Sequence, residues 1–172
     1  MVQPSGKTVK TLYLIRHAKS SWAEGGLSDF DRSLNKRGKR DALQMGKRLK
    51  ALGVTPGVVI SSPAKRAITT AQKISDELGY DRGAIVLKEM LYGAVPEETI
   101  QITQSIDDGH ASAMMFGHNP NMTDLINELS SFQIDNVPTC GVFCGTFDVE
   151  SWADVRMGAG TQVFFEYPKL MG

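Results

Sequence analysis

The chain has 172 residues, 41% hydrophobic and 22% charged, and its 19 basic and 19 acidic side chains cancel to a formal net charge of zero. That length buries a sizeable core without disulfides in one domain, and the ordinary composition argues against disorder. A neutral chain has no overall field to recruit nucleic acid or an anionic membrane, so any anion selectivity has to be local. There is no apolar run of membrane-spanning length, and the opening MVQPSGKTVK lacks the apolar centre of a secretion signal, so the expected setting is cytoplasmic.

Residues 1–10 read as a flexible N-terminal segment and 11–170 as one domain, since no repeat, linker or low-complexity tract divides the chain. Leu12 to Ile15 reads as a buried strand. Asn35 caps a helix to about Leu52, in which Ala42, Met45, Leu49 and Leu52 recur at helical spacing before Gly53 ends it. Val58-Val59-Ile60 is a second strand, followed by Ser61-Ser62-Pro63 and a helix from Ala64 to about Leu78, closed by Gly79. Ala84 to Leu87 predicts a third strand. Pro96 opens a helix to about Ile106, Ala113 to Phe116 reads as a fourth strand ending at Gly117, and Pro120 opens a helix through about Leu129. Val142 to Val149 and Gln162 to Tyr167 predict two last strands around a Gly-rich turn, antiparallel to the rest. Strands that alternate with helices imply an α/β fold, with a mostly parallel central sheet covered on both faces.

Cys140 and Cys144 fall four apart in a strand-like segment, which places them on one face. With the three histidines distant in sequence they make no metal site, and they read as reduced, buried or half-buried thiols.

Ligands of open α/β sheets gather at the carboxyl ends of the strands. Those ends carry Arg16 and His17 after the first strand, Ser61-Ser62-Pro63 and then Arg66 after the second, and Gly117-His118 after the fourth. Taken singly, a strand-end arginine is usually solvated and a lone histidine is usually structural. Together, two guanidinium forks and two imidazoles on one rim, beside two helix starts, suit a tetrahedral phosphoryl dianion.

Arg16-His17-Ala18-Lys19-Ser20 resembles the RHG signature of the histidine phosphatase (phosphoglycerate mutase-like) superfamily, with Ala18 where glycine is usual. Ser61-Ser62-Pro63-Ala64-Lys65-Arg66-Ala67 with Thr70-Ala71 resembles its second motif, and Gly117-His118-Asn119-Pro120 its third, in matching order. The short length, RHAKSSW, Asp31-Arg32-Ser33-Leu34-Asn35 before a Gly-containing helix, and Leu91-Tyr92 are similar to the SixA-type phosphohistidine phosphatase branch. The resemblance implies a three-layer α/β/α sandwich. It also implies a phosphatase with no cofactor or metal, in which His17 attacks phosphorus and forms a phosphohistidine intermediate that water hydrolyses. Arg16 and Arg66 would hold the phosphoryl oxygens while His118 donates to them.

Ser20 either binds phosphate or caps a turn. Lys19 is expected to point to solvent, Asp29 and Asp31 to serve as turn and capping residues, and His110 to be exposed and unrelated to the chemistry. Trp22 either lines the pocket entrance or fills a loop cluster. His17 is expected in an accessible pocket, its second nitrogen held by a backbone carbonyl near the strand end. An alkyl phosphate needs a general acid, for which Glu89 is the best-placed candidate, since Glu97 and Glu98 suit a helix start. Phosphohistidine needs such help less, because imidazole leaves more readily than an alkoxide. The expected partner is therefore a phosphorylated protein bearing phosphohistidine, with a small phosphomonoester as the alternative. A mutase is disfavoured for want of an enclosing cap, and a phosphate-binding module without turnover is disfavoured because all four motif positions are filled.

Overall fold

A computed structural model describes residues 9–22 and 25–171, and the expected flexible segment lies largely outside them. Lys10 already belongs to the first strand, β1 (Lys10–Arg16), with its Nζ donating to the carbonyls of Asp108 and His110. Six strands form one sheet, the others being β2 (Val58–Ser61), β3 (Val86–Leu87), β4 (Ser112–Gly117), β5 (Val142–Phe147) and β6 (Thr161–Glu166). Their order is β3-β2-β4-β1-β5-β6; the four at the β3 side are mutually parallel, and β5 and β6 are antiparallel additions, as the sequence predicts.

Side chains of a strand alternate between its faces, and β1 follows that rule with an apolar residue on both. Leu12 and Leu14 join Ala113, Met115 and Phe143 in one core. Tyr13 and Ile15 join Met114, Phe116 and Val142 in the other. Helices α1 (Lys36–Ala51) and α2 (Lys65–Leu78) cover the second face with Met45, Leu49, Ala71 and Ile74. Helices α3 (Pro96–Gln104) and α4 (Asn121–Leu129) cover the first with Ile100, Ile102, Met122 and Leu125. The result is the three-layer α/β/α sandwich.

Two predicted elements change. The third strand shrinks to Val86–Leu87, because Arg82–Ala84 close a 3-10 turn in which the Asp81 side chain accepts from Gly83 N–H. Cys140 lies in the turn before β5, not on a shared strand face with Cys144, and adopts a left-handed φ of 60°. There its N–H reaches the carbonyls of both Arg16 and His17, so the turn braces the end of β1. Both thiols are free and buried; burial pushes Cys140 up strongly and Cys144 up to about 12, so neither is a reactive thiolate.

From β1 the chain enters α1 on one face, and from β4 it enters α4 on the other. The adjacent carboxyl ends of β1 and β4 therefore open a crevice at this switch in winding.

Candidate active site

The parallel ladder continues past the strands into the loops that carry the histidines. His17 N–H donates to Gly117 O at 3.0 Å and Ser62 N–H to Phe116 O at 3.0 Å, which laces the three strand ends together. On this platform lies a pocket of about 360 Å³ lined by Arg16, His17, Ser20, Arg66 and His118, with Lys19, Trp22, Asp29, Arg32, Asn119 and Thr139 completing it.

His17 lines this pocket, as expected, yet is only 7% exposed, because the laced strand ends hold its ring into the pocket floor. Its Nδ1 lies 2.8 Å from the carbonyl of Ala18. A carbonyl only accepts, so Nδ1 carries the proton and Nε2 keeps its lone pair. Arg66 points its Nε–H at that Nε2, 3.3 Å away. Burial, reinforced by His118, Arg66 and Arg16, pulls the His17 pKa down to about 3, so the ring is neutral near pH 7. The Ala18 carbonyl is itself fixed: Ala18 N–H donates to Thr70 Oγ1 at 3.0 Å, and that hydroxyl donates to Arg66 O at 2.7 Å. Thr70 therefore ties the loop that carries His17 to the helix that carries Arg66.

Helix α1 abuts the same loop. Asn35 caps it by accepting from Gly38 N–H, while Asn35 N–H donates to Lys19 O. Gly38 has to be glycine here, since a Cβ would collide with the Lys19 carbonyl.

His118 faces His17 with ring centroids 5.2 Å apart. Burial, with Arg66 and Arg16 adding to it, lowers its pKa to about 4, so it too is neutral. Its Nε2 lies 2.8 Å from Ser62 Oγ, whereas its Nδ1 is buried and unpaired. Arg16 donates through Nη1 to Val137 O at 2.8 Å, and its Nε is buried without a partner. Two nitrogens of the pocket, the Arg16 Nε–H and His118 Nδ1, thus lack a protein partner, which is unusual for buried groups and fits a bound oxyanion.

Asp29 is more than a turn residue. It sits in the 3-10 turn Asp29–Asp31, where its carbonyl and carboxylate receive Arg66 Nη1 at 2.6 Å and Nη2 at 3.0 Å. Tyr92 Oη donates to the same carboxylate at 2.7 Å and Arg32 Nε at 3.2 Å. The Tyr92 hydrogen bond, followed by Arg66, lowers the Asp29 pKa to about 2. Arg32 also donates to Ser20 Oγ at 2.7 Å and stacks on Trp22 at 3.6 Å, so Trp22 is a rim residue. Lys19 is exposed as expected, and His110 lies away from the pocket. Glu89 is exposed and lines a separate hollow with Met90 and Gln101, so it does not serve this pocket. Ser62, Thr70 and Tyr92 stand inside the quoted motifs, yet nothing in their type or spacing marks what they hold.

The family model of the histidine phosphatase superfamily (branch 1) matches residues 12–124. The chain belongs to that superfamily. It is 31% identical to an uncharacterised protein of Mycobacterium tuberculosis over 90% of this chain and all of that one. It is 30% identical to an uncharacterised chloroplastic protein of Arabidopsis thaliana over 80% of this chain and 66% of the relative's length. Among solved structures, the protein from Agrobacterium tumefaciens named as phosphohistidine phosphatase SixA superposes with a TM-score of 0.78 at 26% identity, covering 92% of this chain and 98% of that one. A protein histidine phosphatase SixA complexed with tungstate shares the fold, with a TM-score of 0.75 at 23% identity over 94% and 99%. This histidine phosphatase therefore groups with the SixA type. Among its described residues no helix is long and apolar enough to cross a membrane.

Proposed function

We propose that this phosphatase removes the phosphoryl group from phosphohistidine on a protein, through a covalent phosphohistidine intermediate on His17. The observation that carries the reading is the fixed tautomer of His17: Nδ1–H held by Ala18 O, with the Nε2 lone pair facing Arg66 in the pocket. Nε2 attacks phosphorus as the bond to the substrate's nitrogen breaks, and the substrate ring, already carrying a solvent-derived proton on its other nitrogen, leaves as neutral imidazole. Water then attacks the same phosphorus, releasing inorganic phosphate and returning the electron pair to Nε2. Arg16, Arg66 and His118 surround the position where charge accumulates, and their donors stabilise it.

The leaving group is what favours phosphohistidine over an ester. Asp29 lines the pocket but is held ionised by Tyr92 and Arg66, so it has no proton to give an alkoxide, and Glu89 lies outside. Imidazole makes no such demand. The likeness to proteins named as phosphohistidine phosphatases supports the same choice.

Phosphorus NMR of the protein with a phosphohistidine peptide, phosphoserine and a sugar phosphate, without added metal, tests this. Inorganic phosphate is expected from phosphohistidine first. Release from the esters alone would overturn the substrate and leave the His17 chemistry standing.

A further inference from the structure

His118 contributes to the pocket as a neutral ring, and a neutral imidazole donates through one nitrogen only. Which nitrogen that is depends on Ser62, a fully buried residue at the end of β2. Its hydroxyl oxygen accepts from Ala64 N–H at 3.2 Å and lies 2.8 Å from His118 Nε2.

A hydroxyl has one hydrogen to place. Were Nε2 protonated, Ser62 Oγ would accept from both neighbours and its own hydrogen would lack either as an acceptor. His118 Nδ1 would then keep a bare lone pair and have no hydrogen to offer an anion. With the hydroxyl donating to Nε2, both contacts are satisfied and the imidazole proton has to reside on Nδ1. That nitrogen is buried and unpaired in the protein, in a ring that lines the phosphoryl pocket 5.2 Å from the His17 ring. An unpaired buried N–H is costly, and a phosphoryl oxygen supplies its acceptor.

We propose that Ser62 is a positioning residue that fixes the His118 tautomer, holding the proton on Nδ1 so that an uncharged imidazole donates to a phosphoryl oxygen beside His17. The two histidines then share a tautomer but have opposite duties. His17 keeps its Nδ1 proton on a backbone carbonyl so that Nε2 can attack, while His118 keeps its Nδ1 proton for the oxyanion because Ser62 occupies Nε2. The inference rests on the phosphoryl-pocket reading above, without depending on the substrate.

Nitrogen NMR of histidine-labelled protein, with the His118 signals assigned by comparison with His118→Gln, reads the tautomer without any substrate. The wild-type ring is expected as Nδ1–H at pH 7, with inorganic phosphate moving chiefly the Nδ1 signal. Ser62→Ala is expected to shift the ring toward Nε2–H. It should lower kcat about a hundredfold, with KM within about threefold, on whichever phosphorylated compound the wild-type protein cleaves. Ser62→Thr keeps the hydroxyl and is expected to recover both tautomer and turnover. A wild-type His118 protonated on Nε2, or Ser62→Ala with the Nδ1–H tautomer and kcat intact, would overturn the proposal. A change of preferred substrate would leave it untouched.

Discussion

The floor and the rim of the pocket are built by different means. On the floor, His17 and His118 are 7% and 8% exposed, and their surroundings are fixed by main-chain bonds that extend the sheet. At the rim, Asp29, Arg32, Tyr92 and Trp22 hold one another through side-chain contacts; the Asp29 side chain is 50% exposed, although Arg32 is largely covered. A buried network is costly to break and keeps one geometry, whereas an exposed one is screened and replaceable. The proposed mechanism accordingly puts the chemistry on the floor, and tuning on the rim. Substitutions at four residues, taken from the floor outward, test that division.

His17→Ala removes the proposed nucleophile and is expected to abolish turnover. The fold persists, because the residue's N–H and carbonyl, which bond Gly117 and Cys140, are main-chain groups. Normal turnover in a folded variant would place the chemistry elsewhere. Acid acts on the same residue. Unfolded histidine takes up protons below about pH 6.5, while folded His17 and His118 resist until about pH 3 and 4. Stability is thus complete above pH 6.5 and falls by a few kcal/mol as pH drops toward 3, since the unfolded state binds more protons throughout that window. His17→Gln should flatten part of this fall in denaturant titrations at pH 7 and pH 4.

Thr70→Val is next in size. It keeps the shape but leaves Ala18 N–H without its acceptor, at a cost of about 1–3 kcal/mol. Because Ala18 O orients the His17 ring, kcat is expected to fall about tenfold with little change in KM. A loss of stability with kcat unchanged would show that the Ala18 carbonyl stays in place without Thr70.

How far each region was legible follows the same division. Arg16, His17, Arg66 and His118 could be brought together from sequence because each follows a strand whose carboxyl end is fixed by α/β winding. Asp29 could not, since an aspartate in a loop caps a turn as readily as it grips a guanidinium 37 residues away. Glu89 misled for a related reason: it follows the third strand as expected, but the 3-10 turn Glu89–Leu91 leaves it exposed in another hollow. A sheet covered on both faces was readable from strands that alternate with helices, whereas the register of β1 against β4 was not, and Ser62 and Thr70 act through single hydrogen bonds that no periodicity encodes.

At the rim, Asp29→Asn keeps the shape and the main-chain carbonyl that Arg66 Nη1 uses, and drops the charge. A half-exposed pair of this kind is worth about 0.2–1 kcal/mol, so kcat/KM is expected to fall no more than about fivefold. A drop as large as that of Thr70→Val would make Asp29 part of the floor in all but position.

Trp22→Ala is the smallest change and the one that separates the two regions most sharply. The indole is 77% exposed and its described ring contact is the Arg32 guanidinium, an exposed cation–π pair worth about 0.5–1 kcal/mol. It touches neither histidine, so kcat should be unchanged for every substrate. A free phosphorylated amino acid fits within the floor and should keep its KM, whereas a phosphoprotein has to cross the rim and should show a raised one. Equal KM changes for both would mean that Arg32, freed from the indole, had shifted Ser20 and with it the floor. The comparison of the two KM ratios therefore measures whether the rim is coupled to the chemistry or only to what is admitted to it.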